Sequence, residues 1–477
     1  MNATRIARAV VGMALFAATL AGFAPLRAGE QSPRRPNLLF VYTDDQARWS
    51  IGAYGNREVK TPNFDRLARE GAIFRNAFTV TPVCSPSRAS MMTGRYPTSL
   101  GIDDWINPSV EPDLGLSPAA LLWPEVLQGA GYRSMLVGKW HLGTRDEFHP
   151  TRQGYSRFFG FRDGGNSAMD PRIEVEGTVK QLQGPIPDLI VDEGLKFLES
   201  AGRDRPFLLS VHFREPHQPY RPVPQVDSDA YRDLDPAVPK ADGFTLPAAR
   251  IKEIRRYYYA SVHAVDRNLG RLLDALDRLD LAGNTIVIAS SDHGYMIGQH
   301  GLWHKGNGNW IAEGKSGRRP NMFDDAIRVP LIVRWPGTVK PGSEVKPVVS
   351  NLDIFPSVLD MVGIGVPPNL AIDGRSFVPF LRQPDAKIPW DDTLIGQYDM
   401  HHGQVARMRM IRAGGWKLIR HLEPGGEDEL YDLTHDPDEA VNLHDNPKYA
   451  ERRRELGEEL HRRLAAIRDP LADAVKP

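Results

Sequence analysis

The chain has 477 residues, 41% of them hydrophobic and 25% charged, with a formal net charge of -1. That balance gives no support to a nucleic-acid-binding surface, which needs a basic face. A single cysteine excludes an intramolecular disulfide, so stability must come from packing and bound metal in a chain long enough for one large α/β body and a smaller unit.

Residues 1–28 read as an export signal peptide. Arg5 and Arg8 open it, the run from Ala9 to Ala24 is apolar, and Ala28 offers a small residue for cleavage. The run is short for a membrane span, and no second long apolar stretch follows. A lipid anchor would need a cysteine at the cleavage point, and there is none. The expectation is an exported protein, periplasmic or extracellular, with no stable membrane anchor.

After a Pro- and Arg-rich junction, residues 37–42 form a near-continuous apolar run, which reads as a buried parallel strand. Asp44 and Asp45 follow at its carboxyl end. Residues 61–71 have a capped helical pattern. Residues 84–94 read as a short helix with Ser85 as cap, Pro86 in the first helical position and Gly94 as terminator. That places Cys84 just outside a helix N-terminus, where free N–H groups favour negative charge, with Arg88 one turn in. The competing reading of a lone cysteine is a buried, inert thiol.

A second strand is expected over 132–137, ending in Gly138-Lys139-Trp140-His141. Residues 145–190 lack a clean period and read as loop-rich decoration, and 189–198 as helix. The third strand, 206–213, ends in Arg214-Glu215-Pro216-His217. Residues 251–279 form a long amphipathic helix. A fourth strand, 285–289, runs into Asp292-His293, and a fifth covers 330–334. From about residue 390 the pattern changes to antiparallel strands at 408–411 and 416–420, joined at Gly414-Gly415. Residues 429–433 continue them, and a charged amphipathic helix follows at 448–467.

Strands alternating with helices imply an α/β fold: a large mixed, mostly parallel sheet sandwiched by helices. A smaller C-terminal antiparallel sheet plus helix completes it. In such sheets ligands bind beyond the carboxyl ends of the strands, and four strands carry their reactive residues there. Asp44, Asp45 and Asp292 at one sheet edge repel one another unless a cation neutralises them. Hard oxygen ligands suit Ca2+ or Mg2+.

The run Cys84-Ser85-Pro86-Ser87-Arg88, continued by Met92-Thr93-Gly94, resembles the signature of the type I, formylglycine-dependent sulfatases of the alkaline phosphatase superfamily. The stretch Gly131-Tyr132-Arg133-Ser134, continued by Gly138-Lys139-Trp140-His141, is similar to that family's second motif. The resemblance implies an alkaline-phosphatase-like catalytic domain over 34–385 and a C-terminal subdomain over 386–477. It implies oxidation of Cys84 to Cα-formylglycine by a formylglycine-generating enzyme, and hydrolysis of sulfate esters, expected to be those of sulfated carbohydrate.

By the same resemblance, Asp44, Asp45, Asp292, His293 and the modified Cys84 are metal ligands. Many members carry Asn where this chain has His293, and a ring nitrogen is a poorer calcium ligand than an amide oxygen. Ca2+ is the expected ion, with Mg2+ and Mn2+ as alternatives. Lys139 and Lys305 would face sulfate, and His141 would act as base in sulfate release. Arg88 would hold the nucleophile and the carboxylates. His217 is the favoured general acid, with Lys305 as the other candidate. From position alone, Arg214, Glu215, Tyr220, the 307–310 loop, Asp103, Asp104 and Trp105 are expected around the leaving group. The Asp-His pair also fits a phosphonate monoester or phosphodiester hydrolase of the same superfamily. A non-catalytic binding protein on the same scaffold is the third reading, disfavoured because every matched catalytic position is kept.

Overall fold

The computed structural model describes residues 35–475, except 203, 241–245, 313, 314 and 385 and the side chains of 310–316. The expected signal peptide lies outside the described residues. No described helix is long and apolar enough to cross a membrane.

At the centre is a ten-stranded sheet. Its middle strands, in order Thr285–Ser291, Asn37–Asp44, Phe207–Pro216, Arg133–Lys139 and Arg157–Phe161, are all parallel. All eight residues of Asn37–Asp44 are buried, so this strand needs apolar side chains on both faces. Leu38, Phe40 and Tyr42 enter the core that holds Met91, Trp123 and Phe355. Leu39 and Val41 enter the opposite core, with Leu209 of the neighbouring strand and Val191 and Leu272 of the helices Ile186–Ser200 and Ala248–Arg278. The sheet is therefore sandwiched, and its carboxyl edge is free to build a site.

Three details differ from expectation. Leu331–Arg334 is antiparallel to Thr285–Ser291. Residues 145–190 are more than decoration: Arg157–Phe161 joins the parallel centre, and Arg172–Val175 and Thr178–Gln181 extend the sheet antiparallel beyond it. The helix at the cysteine spans Cys84–Thr93 and starts two residues earlier than read, because Val83 is its N-cap and Ser85 does not cap. The Ser85 hydroxyl instead accepts the Ile106 N–H at 3.0 Å. Gly94 does end the helix, at φ 68 with its N–H on the Ser90 carbonyl, a left-handed position that favours glycine.

The small sheet is antiparallel, in order Leu394–Met400, Ala406–Ala413, Trp416–His421 and Glu429–Asp432. One face buries Ile411, Leu418 and Leu430 against Leu456, Leu460 and Leu464 of the helix Ala450–Ala466. The other packs Tyr398, Met408 and Met410 against Val80 and Val83, and the Gln397 N–H reaches the Val80 carbonyl at 2.8 Å. The segment leading into Cys84 is thus braced by the C-terminal sheet.

Candidate active site

Cys84 sits in the first turn of its helix, 3% exposed. Its Sγ lies 3.0 Å from Lys305 Nζ, 3.4 Å from His293 Nε2 and 3.6 Å from Asp44 Oδ1. Three residues far apart in sequence therefore meet the thiol. Asp44 ends the central strand and Asp45 follows it at φ 64. His141 follows the Arg133–Lys139 strand at φ 61. Such backbone is strained for non-glycine residues, and where it occurs it commonly aims a side chain at a site.

The charges are paired one by one. Lys139 Nζ meets Asp44 Oδ2, and Lys305 Nζ lies 2.7 Å from Asp45 Oδ1. Arg88 donates from Nε to Asp292 Oδ2 at 3.0 Å, and its guanidinium lies 5.4 Å from the Tyr42 ring centre. Asp292 and Asp45 are tied by the Asp45 N–H, which donates to Asp292 Oδ1 at 3.2 Å. All of these side chains are buried.

Burial alone would push these carboxyls up. For Asp44, burial is the largest single effect, but Lys139, His217, Arg88 and Lys305 together outweigh it and hold the carboxyl well below the usual carboxylate range. For Asp45, burial wins over Lys305 and the carboxyl is pushed up to about 7. Asp292 is raised by burial and by the charge of Asp44. Burial also works against the Cys84 thiolate, but Lys139 and Lys305 bring the thiol down to about 6. A low pKa of this kind marks a reactive cysteine rather than an inert one.

The ligand atoms of Asp44, Cys84, Asp292 and His293 lie within 4.8 Å of one another, as do those of Asp44, Asp45, Cys84 and His217. Two details fit a cation. Asp45 Oδ2 is buried without a hydrogen-bond partner. The His293 Nδ1 is 2.9 Å from the Gly294 carbonyl. If that nitrogen carries the hydrogen, the Nε2 lone pair faces Asp45 Oδ1 and Asp292 Oδ1, at 3.3 and 3.4 Å. Lone pairs facing this closely call for positive charge between them, the arrangement by which a backbone carbonyl orients a metal-binding histidine. Without such a charge the ring takes a proton itself: burial opposes it, but Asp292 raises its pKa to about 9.

Above the thiol is a cavity of about 410 Å3, walled by Cys84, His141, His217, His304, Lys305 and Arg318, among others. His141 is held well below the usual histidine range, by burial and then by Lys139. Its Nε2 is 3.0 Å from the Ile106 carbonyl, and its Nδ1 is buried without a partner. The His217 Nδ1 is 2.6 Å from the Gln218 carbonyl, which leaves its Nε2 turned inward, 3.8 Å from Asp45 Oδ2.

Arg214, Glu215 and Tyr220 are not on the cavity wall. Arg214 is fully buried. It pairs with Glu215 at 3.1 Å and donates to the carbonyls of Asn166 and His217, at 3.0 Å each. The Tyr220 hydroxyl is 2.7 Å from that of Tyr295. These three residues brace the turn that carries His217; a guanidinium with all its donors inside the protein has none left for substrate. Asp104 is buried as well, accepting the N–H groups of His401 and His402 at 2.9 and 3.1 Å. Trp105 and Asn307 do reach the cavity.

Sequence reasoning missed Asp163, Gly164, His304 and Arg318 on that wall. Only the Gly164-Gly165 pair carried a readable signal. A Cβ at Gly164 would lie 2.6 Å from His141 Nε2, so the loop passes too close for any side chain.

A family model described as Sulfatase matches residues 36–364, and one described as N-sulphoglucosamine sulphohydrolase, C-terminal, matches 317–467. Among curated relatives, the chain is 27% identical to the N-acetylglucosamine-6-O-sulfatase of Bacteroides thetaiotaomicron, over 90% of this chain and 86% of that protein. It is 31% identical to the ulvan-active sulfatase of Formosa agariphila, over 92% and 83%. A solved structure, of a protein in complex with its substrate D-glucosamine-2-N,6-O-disulfate, superposes with a TM-score of 0.80 at 26% identity, over 92% of this chain and 99% of that one.

Proposed function

The chain belongs to the sulfatase family and hydrolyses sulfate esters, and from that premise we propose that its substrate is a sulfated carbohydrate, attacked through Cα-formylglycine formed from Cys84. The observation that carries this reading is the meeting of Cys84 with Lys305, His293 and Asp44 within 3.6 Å, at the floor of a cavity large enough for a sugar. The carbohydrate half is supported by the relatives, whose names include a sugar sulfatase and an ulvan-active enzyme.

In this reading a formylglycine-generating enzyme oxidises Cys84. Hydrated, the aldehyde supplies one hydroxyl as nucleophile and a second through which sulfate is expelled and the aldehyde restored. Asp44, Asp45, Asp292 and His293, with the modified Cys84, would hold a divalent cation, for which Ca2+ is our choice over Mg2+ or Mn2+. Bound there, the ion would supply the positive charge that Asp44 and Asp45 draw from Lys139 and Lys305, and would acidify a hydroxyl beside it.

The chain's own residues supply the rest. Lys139 and Lys305 neutralise sulfate oxygens as charge moves from the ester to the leaving group. Arg88 fixes Asp292 from the helix side and keeps the acid cluster in register with position 84. A sugar alkoxide is a strong base and leaves only with a proton. His217 delivers it: the bound ester's negative charge favours the imidazolium, and the Gln218 carbonyl keeps Nε2 facing inward. His141 is neutral and has a free Nδ1, so it accepts the hydroxyl proton when sulfate departs. The catalytic body is 34–385, buttressed by the subdomain 386–477, and the protein is exported to the periplasm or beyond.

The test is sulfate release from a panel of defined sulfated mono- and oligosaccharides, run beside an aryl sulfate and an aryl phosphodiester. We expect a sulfated sugar to give the highest kcat/KM. A phosphodiester turned over far better than every sulfate ester would move the assignment to the phosphonate and phosphodiester hydrolases. Peptide mass analysis of active enzyme with Cys84 wholly unconverted would remove formylglycine from it.

A further inference from the structure

The cavity over Cys84 does not end at its own wall. Arg318 lines it and also lines a second, larger cavity of about 640 Å3 on the side of the C-terminal sheet. That volume falls within the roughly 300–1,000 Å3 of ordinary ligand sites. The charged side chains around the second cavity are mostly satisfied. Arg407 pairs with Glu423 at 2.8 Å, and Arg319 and His421 with Glu429 at 3.5 and 2.8 Å. The exceptions are the exposed carboxylate Glu427 and, among the cations, Arg318. Arg318 is exposed, it forms no ion pair with a described residue, and its one hydrogen bond runs from Nη1 to the His402 carbonyl at 2.7 Å. That bond lays the guanidinium against Gly403, where a Cβ would lie 2.8 Å from Cζ. The group is held in place with donors to spare. Nearby, the Gln404 side chain has no hydrogen bond among the described residues, and Val405 is 53% exposed.

A fixed, unpaired guanidinium between two cavities is placed to bind an anion that spans them. We propose that the larger cavity is a second carbohydrate subsite: the sugar next to the sulfated one enters it, and Arg318 binds an anionic group on that neighbour, a carboxylate or a second sulfate. Planar, two-point recognition of such oxyanions is what guanidinium does best. Gln404 and Val405 then offer an amide and an apolar patch to the neighbour's hydroxyls and ring face. The substrate class narrows from a sulfated sugar to an acidic oligosaccharide. This rests on the sulfated-carbohydrate reading above.

The experiment is calorimetric binding to the Cys84→Ala protein, which reports affinity without turnover. The probes are N-acetylglucosamine 6-sulfate alone and the same unit linked to a uronic acid, to a sulfated hexose or to a neutral hexose. We expect at least one anionic disaccharide to bind about tenfold tighter than the monosaccharide. The uronic acid and sulfated arms show which anion is read. Adding Arg318→Ala should erase that gain, and Arg318→Lys should restore part of it. The proposal is overturned if no disaccharide outbinds the monosaccharide, if the neutral one gains as much, or if the gain survives Arg318→Ala. Wild-type sulfate release from an aryl sulfate is read separately, so a failed subsite and a failed sulfatase reading give different results.

Discussion

The floor and the outer wall of the cavity are built in opposite ways. On the floor, Asp44, Asp45, Arg88, Lys139, Asp292, His293 and Lys305 are all buried, and each charge touches its opposite. All but Arg88 and Lys305 end a strand of the parallel sheet or immediately follow one. On the outer wall, Trp105, Asp163, His304 and Arg318 come from four separate segments outside the parallel sheet, and Asp163 and Arg318 are exposed. The floor is a preorganised charge array on rigid elements, as group-transfer chemistry requires. The wall is carried by loops and by short strands of a separate antiparallel sheet, and it is left open for a ligand to complete. The difference assigns consequences: changes on the floor should cost kcat, and changes on the wall should cost KM.

The strongest test of that division is Cys84→Ala. Loss of a covalent nucleophile should lower kcat by at least about 10^4-fold, with circular dichroism unchanged because the helix keeps Val83 as cap and Gly94 as terminator. Turnover near wild type would remove the thiol from the floor altogether. Metal removal should come next. Dialysis against a chelator should cut activity by about 10^3-fold, reversed by Ca2+, and should lower Tm because the ion binds only the folded state. The Tm response to Ca2+ should vanish in Asp45→Asn. A Tm indifferent to chelator and Ca2+ alike would mean that Lys139, Lys305 and Arg88 already balance the three carboxylates and that no ion is held. Lys305→Ala should cost roughly 10^2–10^3-fold, almost all in kcat. If KM took the loss instead, Lys305 would belong with the wall.

The same division explains what could be read from sequence. Asp44-Asp45, Lys139, His217 and Asp292-His293 were legible because each follows a long apolar run whose burial on two faces dictates strand. The C-terminal hairpin was legible from Gly414-Gly415 between alternating segments. The strands within 145–190 were not. Arg157–Phe161 is five residues long and interrupted by Gly160, and Thr178–Gln181 is exposed throughout, so neither shows a buried period. Arg214 misled because a guanidinium at a strand end looks like a ligand for anions; its donors are consumed by the carbonyls of the turn it supports. Arg318 and His304 are single residues in irregular or short segments, and only tertiary structure brings them to position 84.

The mildest prediction concerns how the wall is held. Glu111 reaches His401 Nε2 and His402 Nε2 at 3.0 Å each, and the His402 ring packs on Trp105 with centres 4.6 Å apart. The two loops are thereby clasped behind a residue that faces the cavity. Burial lowers the His401 pKa, but the Glu111 hydrogen bond and Asp104 outweigh it and raise it above the usual histidine value. A histidine raised in the folded state contributes below its unfolded pKa and loses that contribution as pH climbs through the folded one. The clasp should therefore be tight in acid and slack in base, and KM should rise a few-fold as the pH climbs above the ordinary histidine range, with kcat little changed. Other groups titrate in the same window, so the informative quantity is the ratio of KM in Glu111→Gln to KM in wild type. That ratio should be largest in acid, where only the wild type keeps its charged pair, and approach one as His401 deprotonates. A ratio that is flat, or that grows with pH, would detach Glu111 from the wall and leave Trp105 positioned by packing alone.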